Sequence, residues 1–189
     1  RWPGGNHSRT MNWKRAIGPV SERPGQKFGL PEFLHFCAEV DAEPLIVIAN
    51  QIGTHTDAAD LVEYLNAPQN GGNPNSGVDW AARRAADGHS EPWNVSWFVL
   101  GNETFYTNVP AEKYADKYLK YQQAMKAISP EIKLGAVLED SNNIYDGWTH
   151  TLVKRIGKKI DFGDFHPYFP KVSKQNAKHF SQREVALAT

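Results

Sequence analysis

Continuous apolar runs and runs with helical spacing alternate along the chain. "EPLIVIAN" (43–50) is short, rich in β-branched residues and uninterrupted by polar ones, which predicts a strand buried on both faces. "TDAADLVEYLN" (56–66) follows, with Ala58, Leu61, Val62 and Leu65 on one helical face and Thr56 as its candidate cap. A polar loop containing "NGGNPNSG" (70–77) leads to "VSWFVLGN" (95–102), a second buried strand. The longest helical pattern is "AEKYADKYLKYQQAMKAI" (111–128). Pro110 starts it, Tyr114, Tyr118, Tyr121, Met125 and Ile128 form its inner stripe, and Ser129-Pro130 stops it. "IKLGAVLE" (132–139) predicts a third strand, Tyr145, Trp148, Leu152 and Ile156 a helix ending near Gly157, and "KIDFGDFHPY" (159–168) a fourth strand despite Gly163. Upstream, "PEFLHFCAEV" (31–40) carries Phe33, Leu34, Cys37 and Val40 as a helical stripe, so Cys37 reads as core.

Strand, helix, strand, helix with apolar strands predicts an α/β fold with a parallel sheet and right-handed crossovers. An open doubly wound sheet that bound a dinucleotide would carry G-x-G-x-x-G directly after its first strand. The glycines at 71–77 follow a helix instead. The expectation is therefore a (β/α)8 barrel of the TIM type. Such a barrel needs about 250 residues. The 189 residues present supply about five of its eight strands, as one partial catalytic barrel domain over residues 1–189.

Composition narrows the chemistry. Basic and acidic residues balance at 21 each, which gives no electrostatic footprint for nucleic acid or an anionic membrane. No apolar run approaches the ~20 residues needed to span a bilayer. A single cysteine excludes an intramolecular disulfide, and the seven histidines are scattered with no H-E-x-x-H, so neither a metal nor any other cofactor is expected. No G-x-S-x-G elbow and no phosphate-binding loop occurs. The chain opens on "RWPGG", without an initiator Met or leader and already inside a motif, which leads to the expectation of sequence upstream. Three Asn-x-Ser/Thr sequons, at Asn6, Asn94 and Asn102, carry little weight.

In a parallel barrel all strands present their C-terminal ends at one rim, where the chemistry sits. Those ends contribute Asn6 after the "RWPGG" turn, Asn50, Asn102 with Glu103, Glu139 with Asp140, and His166 with Tyr168. Amides, carboxylates, an imidazole and a phenol around one cavity suit the gripping of sugar hydroxyls and the transfer of a proton. Glycoside hydrolysis requires one carboxyl group to protonate the leaving oxygen and a second to attack or to activate water. Glu103 can be the first, and Asn102 can hold a ring hydroxyl. Glu139 and Asp140 read as loop charges. The histidines at 35, 89, 150 and 179 read as surface or packing residues.

The blocks "RWPGGNHSRTMNWKRAIGP", "GLPEFLHFCAEVDAEPLIVIAN", "ADGHSEPWNVSWFVLGNE" and "DFHPYF" resemble, in order and spacing, the α-L-arabinofuranosidases of glycoside hydrolase family 51. The resemblance spans nearly the whole chain, at about strands 2–6 of the barrel. It implies a retaining hydrolase that releases terminal α-L-arabinofuranosyl groups from arabinose-containing oligo- or polysaccharides, without nucleic acid or membrane partners, and as a homo-oligomer. It also implies that Glu103 is the general acid/base and that Asn6 and Asn102 bind the sugar. Tyr168, in the His166-x-Tyr168 strand end, would steady the nucleophile. Trp13 would lie near the sugar pocket, and Arg1 would support the site. Departures are also plain. The family's nucleophilic glutamate, its first-strand glutamate and its C-terminal β-sandwich have no counterpart here, so the 189 residues alone are expected to be inactive. The family asparagine near Asn50 is shifted by one place, and His7 stands where an aromatic residue is commoner. Two alternatives remain open: a catalytically silent carbohydrate-binding or assembly half-barrel, and a related retaining glycosidase with a different glycone.

Overall fold

The structure is a computed structural model and describes residues 1–70, 72–139 and 147–166. Its elements are α1 (Leu30–Glu39), β1 (Leu45–Ile48), α2 (His55–Asn66), α3 (Trp80–Ala86), β2 (Trp97–Leu100), α4 (Ala111–Ile128), β3 (Lys133–Leu138), α5 (Trp148–Ile156) and β4 (Phe162–Phe165). The strands form one sheet in the order β1-β2-β3-β4, parallel throughout. Trp2 adds a parallel bridge to Ile46 on the outer side of β1. A doubly wound sheet reverses direction at a switch point. Here spatial order follows chain order without reversal, as in the wall of a (β/α)8 barrel, and the helices flank it. The fold is therefore a partial barrel.

Strand interiors are apolar because both faces are covered. Ile46, Val47, Ile48, Phe98, Val99, Leu100, Leu134, Val137 and Leu138 are all buried. The outer cover is α2 through Ala58, Leu61, Val62 and Leu65, and α4 through its tyrosine stripe. That stripe also solves a polar problem, since a buried phenol must find a partner. Tyr114 donates to the carbonyl of Leu100 at 2.8 Å and accepts from the amide of Val137 at 3.1 Å. Tyr118 donates to the carbonyl of Leu134 at 2.5 Å, and Tyr121 donates to the carbonyl of Gly53. One helix thus pins β2, β3 and the loop after β1. Burial pushes the Tyr114 and Tyr118 hydroxyls far above the ordinary tyrosine range and Tyr121 to about 12, so all three remain donors.

Local differences from the sequence reading have identifiable causes. Helix α2 is capped by Thr54, not Thr56: Thr54 Oγ1 accepts from the amide of Asp57, whose carboxylate returns to the amide of Thr54. Helix α1 ends before Val40, which is 53% exposed as its C-cap, while Phe33, Leu34 and Cys37 are buried as expected. Helix α3 lies in what reads as loop. Its "WAARRAA" has no apolar stripe, and its inward face is completed by Arg84, which is fully buried. Glu139, read as a loop charge, is only 6% exposed at the end of β3. Asp140, Tyr145, Tyr168 and His179 lie outside the described residues. No described helix is long and apolar enough to cross a membrane.

Candidate functional site

The C-terminal end of β2 carries the least ordinary backbone in the sheet. Gly101 has φ +81° and Glu103 φ +45°, ψ +43°, so two residues of three are left-handed. A Cβ on Gly101 would stand 2.7 Å from Asn50 Cγ and from Thr104 Oγ1, which makes glycine obligatory there. A non-glycine residue in this region costs about 1–2 kcal/mol. The surroundings of Glu103 must therefore hold it. The result is a carboxylate only 7% exposed, projecting from the strand end rather than continuing the strand.

Two other parts of the chain converge on this turn. From the segment before β1, Arg1 donates to Asn102 Oδ1 at 2.8 Å and to Asp164 at 2.9 Å. The first contact fixes the Asn102 amide, whose Nδ2 then donates to Asn6 Oδ1 at 3.1 Å. Gly5, at φ +58°, turns the chain so that Asn6 reaches this position. From β4 and the residue after it, Asp164 and His166 complete the group. His166 Nε2 lies 2.8 Å from Arg1 Nη1, and His166 Nδ1 lies 3.2 Å from Glu103 Oε1. A guanidinium can only donate, so Nε2 accepts; the neutral ring then carries its proton on Nδ1 and donates it to Glu103. Arg1, itself held by Asp164, thereby favours this tautomer of the histidine that touches the carboxylate.

Asn50 sits behind the turn rather than at the rim. It is 4% exposed, its Nδ2 donates to Thr104 Oγ1 at 2.8 Å, and its carbonyl accepts from Lys117 Nζ at 2.5 Å. Burial holds the Lys117 ammonium below the ordinary lysine range. Trp13 lies apart from the hydrogen-bonded group. Its indole donates to the carbonyl of Asp57 at 3.1 Å and meets the rings of Trp80 at 4.9 Å and Tyr64 at 5.7 Å, against α2 and α3. The structure thus joins Asn6, Asn102, Glu103 and His166 directly and places Asn50 beneath them. Tyr168 falls outside the described residues.

Two members of the group were missed in the sequence reading. Asp164 was hidden inside a strand pattern. Arg9 lies in the 3₁₀ turn over Asn6–Thr10 and donates to the carbonyls of Asn102 (2.5 Å) and Glu103 (3.1 Å). Its signal was the spacing from Asn6, since residues i and i+3 of a 3₁₀ turn share one face. Among the described residues no group of three or more His, Cys, Asp or Glu is placed to hold a metal.

Fold and site together define a segment of a (β/α)8 barrel with an Asn-Glu pair at a strand end, backed by residues from neighbouring strand ends. Comparison with known proteins specifies the family. The α-L-arabinofuranosidase 1 domain matches residues 1–185, and the chain belongs to the α-L-arabinofuranosidases of glycoside hydrolase family 51. It is 30% identical, over 79% of its length, to a probable α-L-arabinofuranosidase C of Aspergillus terreus. It is 29% identical, over 96% of its length, to an intracellular exo-α-(1→5)-L-arabinofuranosidase of Halalkalibacterium halodurans. These matches span 31% and 38% of the two relatives, so the chain covers about a third of their length. The arabinose complex of the Thermotoga maritima α-L-arabinofuranosidase superposes with a TM-score of 0.80, at 30% identity, over 98% of this chain and 40% of that one.

Proposed function

We propose that these residues form the acid/base half of the active site of a retaining α-L-arabinofuranosidase, within one partial catalytic barrel domain. The observation that carries the reading is the convergence on Glu103 of side chains from several strand ends: Asn102 beside it, Asn6 and Arg1 through Asn102, and His166 directly. In the first step the Glu103 carboxyl protonates the glycosidic oxygen while a second carboxylate attacks the anomeric carbon, so the leaving group departs as an alcohol. In the second step the Glu103 carboxylate takes a proton from water as the water displaces the sugar, and the configuration is retained. This requires the two carboxyl groups about 5–5.5 Å apart.

Asn6 and Asn102 serve as amide contacts to the arabinofuranosyl hydroxyls. His166 holds one Glu103 oxygen, and Tyr168, by the family pattern, steadies the nucleophile. Asn50 and Trp13 act behind the pocket, Asn50 by packing under the Gly101 turn and Trp13 by fixing the segment that delivers Asn6. The attacking glutamate is assigned to sequence beyond these 189 residues, which by themselves are expected to turn over no aryl arabinoside.

In the complete polypeptide, Glu103→Gln should slow hydrolysis of arabinosides with poor leaving groups by about 10²–10⁴-fold. The glycosylation step of activated aryl arabinosides, which need no protonation, should be nearly unchanged. Equal rates for wild type and variant on the poor leaving groups would refute the acid role.

A further inference from the structure

The Asn6–Thr10 turn presents two side chains to the end of β2, and they do different things. Asn6 meets the side chain of Asn102, whereas Arg9 meets the backbone of the same turn. Its Nε and Nη2 donate to two successive carbonyls, those of Asn102 and Glu103, and Nη2 also lies 3.9 Å from Glu103 Oε2. The Arg9 side chain is 12% exposed. Its own carbonyl accepts from the amide of Gln51 at 3.1 Å, just beyond β1. One residue therefore ties the end of β1 to the left-handed turn that aims Glu103.

From this geometry we infer that Arg9 is a positioning residue for the acid/base: its guanidinium, gripping consecutive carbonyls, holds Glu103 in the left-handed conformation from which its carboxyl reaches the glycosidic oxygen. The inference rests on the acid/base reading of Glu103. The Glu103 carbonyl also accepts from the amide of Tyr106 at 3.0 Å, and the planar fork of an arginine can bond two successive carbonyls at once. A lysine offers a single point of charge and cannot. Without the grip, Glu103 would relax toward ordinary backbone angles and its carboxyl would shift. A displacement of about 1 Å at a reacting group costs on the order of 10²-fold in rate.

The test uses the complete polypeptide with Arg9→Ala and Arg9→Lys, measured beside Glu103→Gln. Arg9→Ala should lower kcat on arabinosides with poor leaving groups by about 10–100-fold, with KM moving less than about threefold. For activated substrates kcat/KM, which reports the glycosylation step, should be hardly affected. Guanidinium ion added at millimolar concentration should restore part of the loss, because it can re-enter the fork. A general loss of packing would neither select for leaving group nor respond to guanidinium. Arg9→Lys, which keeps the charge and the stem, should show the same leaving-group selectivity, and it carries the test if Arg9→Ala fails to fold. Full activity in Arg9→Lys, or an equal loss of kcat/KM on all leaving groups, would overturn the positioning role. If Glu103→Gln itself leaves poor leaving groups unaffected, it is the acid/base reading that falls. If Glu103→Gln behaves as an acid/base variant while both Arg9 variants match wild type, only the inference about Arg9 falls.

Discussion

Two polar clusters lie in this half-barrel, and they differ in what their hydrogen bonds accomplish. At the rim, Arg1, Asn6 and Arg9 from the segment before β1, Asn102 and Glu103 after β2, and Asp164 and His166 from β4 and its end act mostly on one another. Under α2 and α3, Lys14, Asp57, Asp60, Glu63, Tyr64 and Arg84 come from neighbouring helices and close on each other and on backbone. Ionisation is clearly perturbed in the second cluster. Burial pulls Lys14 down, but its bonds to Asp57 and Asp60 outweigh this and hold it above its ordinary value. Burial likewise pushes Asp57 up, and its bonds to Lys14 and Thr54 outweigh that and hold it low. Burial alone lowers Arg84 and is the main cause raising Glu63. Shifted ionisation usually flags function. Here the shifts follow from burial and pairing between helices, whereas the rim is distinguished by the convergence of chain segments on a left-handed carboxylate.

That contrast can be broken most forcefully at Arg84. It is fully buried and donates to the carbonyls of Tyr64 (2.9 Å), His89 (3.1 Å) and Ser90 (2.9 Å). Arg84→Met would leave the buried Tyr64 carbonyl and the half-buried carbonyls of His89 and Ser90 without this donor, at a cost of about 3–5 kcal/mol. Chemical denaturation of the complete polypeptide should show that loss, with kcat per folded molecule unchanged. A selective fall in kcat would mean that the helix cluster communicates with the rim. Gly101→Ala should cost somewhat less, about 2–4 kcal/mol, from the positive φ and the clash with Asn50 and Thr104. It should differ in kind, since the same change tilts Glu103. Activity should drop by about tenfold or more in the molecules that stay folded.

The rim was legible in the sequence because a parallel barrel makes strand ends meet, so reading only the residue after each apolar run recovered Asn102, Glu103 and His166. Asn6 followed from the glycine turn before it. Asp164 was lost because strand periodicity says nothing about which in-strand polar residue turns toward a rim arginine. Arg9 was lost because a 3₁₀ turn of five residues has no hydrophobic signature. Helix α3 went unseen for a related reason: the residue that completes its buried face is a charged one, and apolar patterning discards it. Glu139 shows the same limit, since a carboxylate after a strand reads as solvated until its burial is known. For Trp13, family position pointed to the sugar pocket, and the structure packs its ring against Trp80 and Tyr64 with its indole bonded to the carbonyl of Asp57.

Trp13 therefore tests where the boundary between the two clusters runs. Trp13→Phe removes the bond to Asp57 and part of the contact with Trp80, and should cost about 1–3 kcal/mol. KM for aryl arabinosides should stay within about twofold, because only the support is weakened. A rise of about tenfold, worth about 1.4 kcal/mol of binding, would put the ring against the sugar after all.

The smallest effect, and the sharpest in sign, is expected at Glu63. It is fully buried; Oε1 accepts from the amide of Trp80 at 3.0 Å, and Oε2 has no partner among the described residues. Burial raises its pKa above the ordinary 4.5. The folded state then holds the proton over a range of pH in which the unfolded state has released it. The contribution of Glu63 to stability is therefore greatest at or below pH 4.5 and declines as pH rises through the folded value, after which it levels off. Glu63→Gln keeps an acceptor for Trp80 and has no proton to lose, so its decline should be absent. Relative to wild type the variant should gain as pH rises from 4 to 8, ending within about 1 kcal/mol of wild type or above it. Thermal melts at a series of pH values measure this directly. Parallel curves for the two proteins would show that Glu63 is ionised in the folded state and that its charge is compensated by the surrounding cluster.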